Sequence, residues 1–592
     1  MDGGIPRRYS IGLWLAAGGL AFLLCMYHLS ATLAEGVFLP ADHDSFYHAR
    51  RIIDAIGAPL QMYQFDPRIH APEGSWVTWP WGYDTVMAFA AGALMPVTGA
   101  ADPMSVLAFI APAWVFVNAA LFLGVASRLR LSLPARALAM LFFAVSPLTQ
   151  ALHRVGMIDH HYVEYMFVLA MLYFGLTWFR NPYARRHAVA LGAVLGAAPA
   201  FHNGLFALQI PVLATLACLW LMQRPQERKA VLAFAVALVA TTTVFLLPSE
   251  PFRQGAFSYY LHSWFHLYIA CSTAALCVLF SRLRSTRRNV LLLAAVALVL
   301  AMPTIAQVVL GGAFIFGTLE YIATMGEVGS MLSAIAQYGP WSVTLEYSPL
   351  LWVLPAVIAW LVWRLRRHAD AANLYFAVAT VFGSLLMLQQ YRLEYFGSFA
   401  LVLPLCMLFD DLRRAPSPSS RAWSSALAVA VALATLPGLL LLRRVDPLGS
   451  DLQYMLTRAV YPVLKAACAT NPGVVLAEHG DGHYIRFHSE CSVIADNFIL
   501  TPQHVEKIRE SEALLAGSLA EVRTRAPYVR YVLIRRGENV LDDVRGCGLD
   551  CPENRGLRME LLSKEPPARL RLLDEVRLPN AQPLARLYEV VP

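Results

Sequence analysis

Two short segments hold most of the side chains that could do chemistry. One reads Asp42-His43-Asp44-Ser45-Phe46-Tyr47-His48-Ala49-Arg50, the other Gly156-Met157-Ile158-Asp159-His160-His161-Tyr162-Val163-Glu164. Each sits beside a long apolar run. There, desolvation makes an ionisable group expensive unless it is paired, metal-bound or catalytic. Two carboxylates and an imidazole from separate loops suit one hard divalent cation with open positions left over. Mg²⁺ and Mn²⁺ both favour oxygen ligands, and Mn²⁺ accepts a histidine more readily. Either segment alone also reads as ordinary interfacial polar sequence, but the two together, at matching ends of early spans, point to a metal site.

The elements that must position these segments follow from hydropathy. Of 592 residues, 57% are hydrophobic and 15% charged, whereas soluble domains are about a quarter charged. The chain is therefore expected to be an α-helical polytopic membrane protein. Apolar runs of spanning length begin near residues 11, 104, 134, 163, 187, 207, 230, 260, 289, 349, 371, 395 and 423, about 13 helices in all. Trp81 to Val97 is shorter, contains Asp84 and Pro96, and suggests a re-entrant or interfacial helix. Arg7 and Arg8 precede a first run long enough to be a retained span rather than a cleaved leader. Arginine clusters at Arg128–Arg136, Arg180–Arg186, Arg224–Lys229, Arg282–Arg288, Arg364–Arg367 and Arg413–Arg421 fall in alternate loops. The positive-inside rule then places the N-terminus in the cytoplasm of an inner membrane and the C-terminal region in the periplasm. The net charge of +7 is thus a topology signal, and no nucleic-acid partner is expected.

Near residue 445 charges return and the apolar runs stop. This predicts a membrane domain over 1–444 and a periplasmic mixed α/β domain over 445–592. The tail carries Cys468, Cys491, Cys547 and Cys551, which are free thiols or disulfides, with Cys547 and Cys551 nearest in sequence. Two outward loops are long, Glu35 to Tyr83 and Gly311 to Pro349; the second holds Glu320, Glu327 and Glu346 but no Lys or Arg. Long loops of this kind often bind or cover substrate.

In motif order, nearly the whole chain resembles the catalytic subunit of oligosaccharyltransferase, in the single-subunit form of bacteria and archaea, within the GT-C membrane glycosyltransferases. The family's first acidic motif looks like Asp42-His43-Asp44, with Asp44 as the metal-binding carboxylate. Its second matches Asp159-His160-His161, which puts Asp159 and His161 on the two metal positions. Thr324-Met325-Gly326-Glu327 resembles the segment whose glutamate reaches metal and acceptor, and Arg392 the arginine that contacts the donor diphosphate. The resemblance implies a metal-dependent glycosyltransferase using Mn²⁺ or Mg²⁺. The donor it implies is a glycan on a polyprenyl diphosphate, transferred to an extracytoplasmic acceptor, with Asp44 and Glu327 catalytic.

The tail departs from the family. Its Trp-Trp-Asp-Tyr-Gly motif, which reads the acceptor sequon, aligns with Glu478-His479-Gly480-Asp481-Gly482-His483, so both tryptophans are gone. Glu and His cannot mimic a rigid indole wall. Glu478, His479, Asp481 and His483 become candidates for contact with a different acceptor, or form a polar surface loop. The acceptor stays open between protein asparagine, a hydroxyl group, a glycan and a lipid. Alternatives are a polyprenyl monophosphate-sugar transferase and a transporter. A transporter would place its charges at mid-membrane, usually with a repeat, and neither is visible. His202, Asn203, His262, His266 and the Trp76–Trp81 aromatics read as site walls or interfacial anchors.

Overall fold

The computed structural model describes residues 7–310, 329–367, 370–535, 556–563, 567–577 and 583–591. Eleven helices among them are long and apolar enough to cross a membrane, or twelve counting one bent pair, so the chain is a multi-pass membrane protein. The helices that matter for the site are α1 (Arg7–Met26), α2 (His43–Ala55), α3 (Trp81–Thr98), α4 (Met104–Arg128), α5 (Leu133–Val145), α6 (Pro147–His153), α7 (His161–Arg180) and α8 (Arg185–Ala197). The run expected near 134 is the α5–α6 pair, bent by 52°. The run near 187 is α8, whose 13 residues extend about 20 Å, short of a ~30 Å core. These two account for the difference from about 13 spans. The Trp81 segment is the 18-residue helix α3, with Asp84 buried in its first turn.

The spans differ sharply in how much they expose. Among the described residues, Arg287–Gln307 is 6% buried along its apolar stretch, whereas α7 is 78% buried and the span Tyr391–Arg414 83% buried. His161 opens the first of these enclosed helices and Arg392 lies in the turn that opens the second, so the candidate residues hang from the most buried elements. The helices Ala371–Gln389 and Glu394–Arg414 meet through glycines: a Cβ on Gly397 would lie 2.6 Å from the Gly383 carbonyl.

The two motif segments are joined by a backbone clasp. The Ala41 N–H donates to the Gly156 carbonyl and the Gly156 N–H to the Ala108 carbonyl, both at 2.9 Å. Gly156 has φ +80°, a left-handed conformation that costs an L-residue about 1–2 kcal/mol. A Cβ there would sit 2.5 Å from Thr32 Cγ2 and 3.0 Å from the Leu39 carbonyl. Two residues on, the Ile158 N–H donates to Ser45 Oγ at 3.0 Å. The positions of Asp44 and Asp159 are therefore set by one another.

The loop after α1 forms two small hairpins, β1 (Leu33–Ala34) with β2 (Val37–Phe38) and β3 (Phe65–Asp66) with β4 (Ser75–Trp76). The tail sheet contains β5 (Val474–Leu476), β6 (Ser492–Val493), β7 (Val529–Arg535), β8 (Leu570–Arg577) and β9 (Pro583–Val590), in the order β6-β5-β7-β9-β8. β5 pairs in parallel with β6 and β7, while β9 is antiparallel to β7 and β8. Loop and tail share a core in which Phe46 packs on Tyr484 and Trp79 on Phe498. The loop also extends the edge strand: Val493 N–H donates to the Arg68 carbonyl at 2.8 Å, and Ala71 N–H to the Val493 carbonyl at 2.9 Å. Buried Arg486 meets Asp66 at 3.1 Å. Cys468 and Cys491 form a disulfide; Cys547 and Cys551 lie outside the described residues.

His504 is part of this seam. Its Nδ1 accepts from the Leu500 N–H at 3.1 Å, and its Nε2 lies 3.3 Å from Ser75 Oγ, so the ring is neutral with the proton on Nε2. Burial, with some repulsion from His70, lowers its pKa from 6.5 to about 3. An unfolded imidazole binds a proton below its ordinary value and the folded one does not, so stability rises with pH between about 3 and 6.5 and falls on acidification. The melting temperature of the detergent-solubilised protein should therefore drop as pH falls from 6.5 to 4, and His504→Gln should reduce that slope. An unchanged slope would show that His504 does not titrate this way. Gly156→Ala, which misfits both conformation and contact, should lower the melting temperature at every pH, whereas Gly99→Ala, also at positive φ but in open space, should lower it less.

Candidate functional site

The first acidic motif splits its roles at the start of α2. Asp42 is the N-cap, its Oδ1 accepting from the Ser45 N–H at 2.9 Å. Asp44, in the first turn, instead faces a cavity of about 270 Å³ shared with His202, Arg392, Asn497, Trp79 and Phe498. A carboxylate there also gains from the positive end of the helix dipole. Asp44 Oδ1 lies 3.8 Å from Nδ1 of buried His483, whose Nε2 lies 3.7 Å from Asp496. Burial brings the His483 pKa down to about 4, so the ring sits neutral between the two carboxylates.

Asp159 is buried at the entry to α7 and surrounded by imidazoles. Oδ1 lies 2.6 Å from His160 Nδ1 and 3.6 Å from His48 Nε2, and Oδ2 lies 3.0 Å from His161 Nε2. Burial pushes the Asp159 pKa up, but His161 and His160 outweigh it and hold the carboxyl well below the usual range. The far sides of two imidazoles are held as well. His48 Nδ1 lies 2.6 Å from Asp84, which is ion-paired with Arg51, and His161 Nδ1 lies 2.5 Å from Glu164 Oε2. A carboxylate behind an imidazole fixes its tautomer and orientation, the usual support for a metal-binding histidine. His48 Nε2, Asp159 Oδ1 and His160 Nδ1 fall within 4.8 Å of one another, close enough to share an ion. A carboxylate ringed by imidazole nitrogens fits a divalent transition metal by its donor types.

The other expected residues fall in different places. Arg392 shares the Asp44 cavity, whereas Asp159 and His161 pair directly with each other. Glu327 and Glu320 lie outside the described residues. Glu346 lines a separate cavity of about 650 Å³ together with Arg154, Glu394 and Arg444. In the tail turn, Glu478 pairs with Arg558 at 3.0 Å and Arg535 at 3.5 Å, and Asp481 binds Arg535 Nε at 2.8 Å. His479 Nδ1 is 4.0 Å from Glu512. Among the tail candidates, His483 is the one placed against Asp44.

Sequence reasoning gave no specific role to His48, Asp84, His160 or Glu164, and treated His202 as a wall. Some signal was present. His48 follows Asp44 by four residues and Glu164 follows His161 by three, spacings that share a helix face. Asp84 was the acid inside an apolar run. His202 reaches the cluster through tertiary structure, and no local pattern marks it.

No protein-family profile matches the sequence, and no curated protein matches it. Solved structures do. The archaeal oligosaccharyltransferase AglB from Archaeoglobus fulgidus, in complex with an inhibitory peptide and a dolichol-phosphate, superposes with TM-score 0.69 at 17% identity, over 89% of this chain and 69% of that one. The Archaeoglobus fulgidus enzyme tethered to an acceptor peptide containing the NVT sequon gives TM-score 0.68 at 17% identity, over 90% and 69% of the two chains. Its complex with Zn and sulfate gives 0.64 at 18%, over 88% and 68%. At these identities the likeness is one of fold: the chain has the architecture of the archaeal oligosaccharyltransferase, across both its helical part and its tail.

Proposed function

We propose that the chain is a metal-dependent glycosyltransferase of oligosaccharyltransferase type. It transfers a glycan from a polyprenyl diphosphate-linked donor to an acceptor on the periplasmic face of the inner membrane. One observation carries the reading: Asp44 and Arg392 line a single cavity with His202, which meets Glu164, the carboxylate that holds His161, within this fold. The solved relatives hold a dolichol-phosphate, peptides, and Zn with sulfate, which supports a lipid-linked donor and a divalent ion for this chain too. Residues 1–444 supply the catalytic membrane domain and 445–592 the periplasmic one.

Each residue has a physical task. The donor's leaving diphosphate gains negative charge as the anomeric C–O bond breaks, and the Arg392 guanidinium neutralises it. Preorganised charge of this kind is often the largest catalytic contribution. Asp159 and His161, with Asp44 and Glu327 by resemblance, hold the Mn²⁺ or Mg²⁺. When bound, such an ion supplies electrostatic stabilisation of the departing phosphate. Asp44 and Glu327 position the acceptor against the anomeric carbon, a proximity contribution. On the acceptor side, Glu478 and Asp481 are held by Arg535 and Arg558, which favours an acceptor read differently from a sequon.

The test uses full-length protein with a labelled polyprenyl diphosphate oligosaccharide, Mn²⁺, and either a sequon peptide or a membrane extract. Asp44→Asn and Arg392→Ala should each cut transfer or donor hydrolysis by roughly 100-fold or more. Wild-type rates in both variants would remove the proposal. Peptide labelling that survives Asn→Gln in the sequon would exclude asparagine as the acceptor.

A further inference from the structure

A second set of metal-ligand atoms lies on the other side of His160. His160, Glu164 and His202 offer one ligand atom each within 4.8 Å of one another; His160 Nε2 makes no hydrogen bond, while Glu164 Oε1 and His202 Nδ1 approach each other as an ion pair. His160 is 1% exposed and Glu164 fully buried. An orphaned buried polar atom costs about 1–3 kcal/mol, more when charged. A cation at the centre of the cluster would give the His160 nitrogen its missing partner and engage all three groups at once. A single shared proton bridges two such atoms and leaves the third unmatched. The close Glu164–His202 approach therefore does not complete the cluster.

We propose that His160, Glu164 and His202 bind a second divalent cation, separate from the one assigned to Asp44, Asp159 and His161, and that this cation is Zn²⁺. Two imidazole nitrogens and one carboxylate oxygen are the donors of open zinc sites, and imidazole-rich sets select zinc over magnesium. The ligands are braced from behind. His160 Nδ1 is held by Asp159 at 2.6 Å and His48 at 3.1 Å, and the second Glu164 oxygen by His161 at 2.5 Å. The turn that carries His202 is pinned by Asn203 Nδ2, which donates to the Thr78 carbonyl at 2.6 Å and the Tyr260 carbonyl at 2.8 Å. His202 also lines the cavity shared by Asp44 and Arg392, which brings the cluster to the edge of that space. An anionic oxygen entering the cavity would meet this ion, whatever molecule carries it. Glu164 ties the two metal sites together: one oxygen orients His161, the other binds the second ion. The site itself depends only on these donor atoms; the count of two ions also rests on the metal of the proposed function.

The experiment counts metal. Full-length protein in detergent is stripped with a chelator, equilibrated with Zn²⁺ alone, freed of excess and measured by plasma mass spectrometry. Wild type should hold two ions per chain, and His202→Ala and Asp44→Asn one each. On substitution with Co²⁺, wild type should show the visible bands of a tetrahedral nitrogen–oxygen site, and His202→Ala should lose them while Asp44→Asn keeps them. A wild-type count that His202→Ala leaves unchanged overturns the proposal, as does a Co²⁺ spectrum without those bands. A single ion lost in His202→Ala but retained in Asp44→Asn supports this site and counts against the first.

Discussion

The structure depends on a constraint at one end of the bundle: four ionisable groups, Asp84, Asp159, Glu164 and Arg51, are buried together where water cannot solvate them. They are tolerated because each carboxylate meets an arginine or an imidazole along one connected path. Arg51 meets Asp84, Asp84 meets His48, His48 and His160 meet Asp159, and His161 links Asp159 to Glu164, which ends on His202. Removing one partner from a buried pair typically costs about 3–5 kcal/mol, because the group left behind stays buried and uncompensated. The path is cooperative for that reason. It also explains why α7 and the Tyr391–Arg414 span are the most enclosed: a low-dielectric wall strengthens each pairing along the path.

The tail is part of the same construction. Its edge strand is completed by first-loop backbone, and its core contains Phe46 and Tyr47 from α2. The helix that presents Asp44 to the cavity thus buries its other face in the tail. Asp44 is positioned from two directions, by the Gly156 clasp below and the His483–Asp496 pair above. α2 is thus packed by the tail on one side and lines the cavity on the other.

Much of this was legible in the sequence, for identifiable reasons. Spans and tail follow from hydropathy, and β5 and β7 from the runs Val474–Leu476 and Tyr531–Ile534. Asp44 and Asp159 stood out as charges beside apolar runs, and Arg392 through the family resemblance alone. The supporting residues were hidden because their roles are tertiary. Asp84 acquires its role only when α3 lies behind α2, and His202 only when its turn folds against α7. The Arg535 and Arg558 pairs that occupy Glu478 and Asp481 join positions more than fifty residues apart, which no local reading of that turn could supply.

The two cavities add a last consequence. Asp44, Arg392 and Leu393 line one, while Ala41, Glu394 and Arg154 line the other. Residues a few positions apart therefore open to opposite spaces, and the segments 41–44 and 391–394 form the partition between them. That partition is stiff: the Tyr391 N–H donates to the Gly329 carbonyl at 3.0 Å, and its carbonyl accepts from Tyr347 Oη at 2.8 Å. The walls differ in kind. The Asp44 side carries Trp79, Phe206, Phe396 and Phe498, an apolar lining suited to a lipid-borne molecule; the other carries Arg154, Arg444, Glu346 and Asp451, suited to a polar one. On the proposed reading, donor and acceptor differ in the same way. The Asp44 cavity is then the one that suits the lipid-linked donor, with Arg392 in its wall for the departing diphosphate.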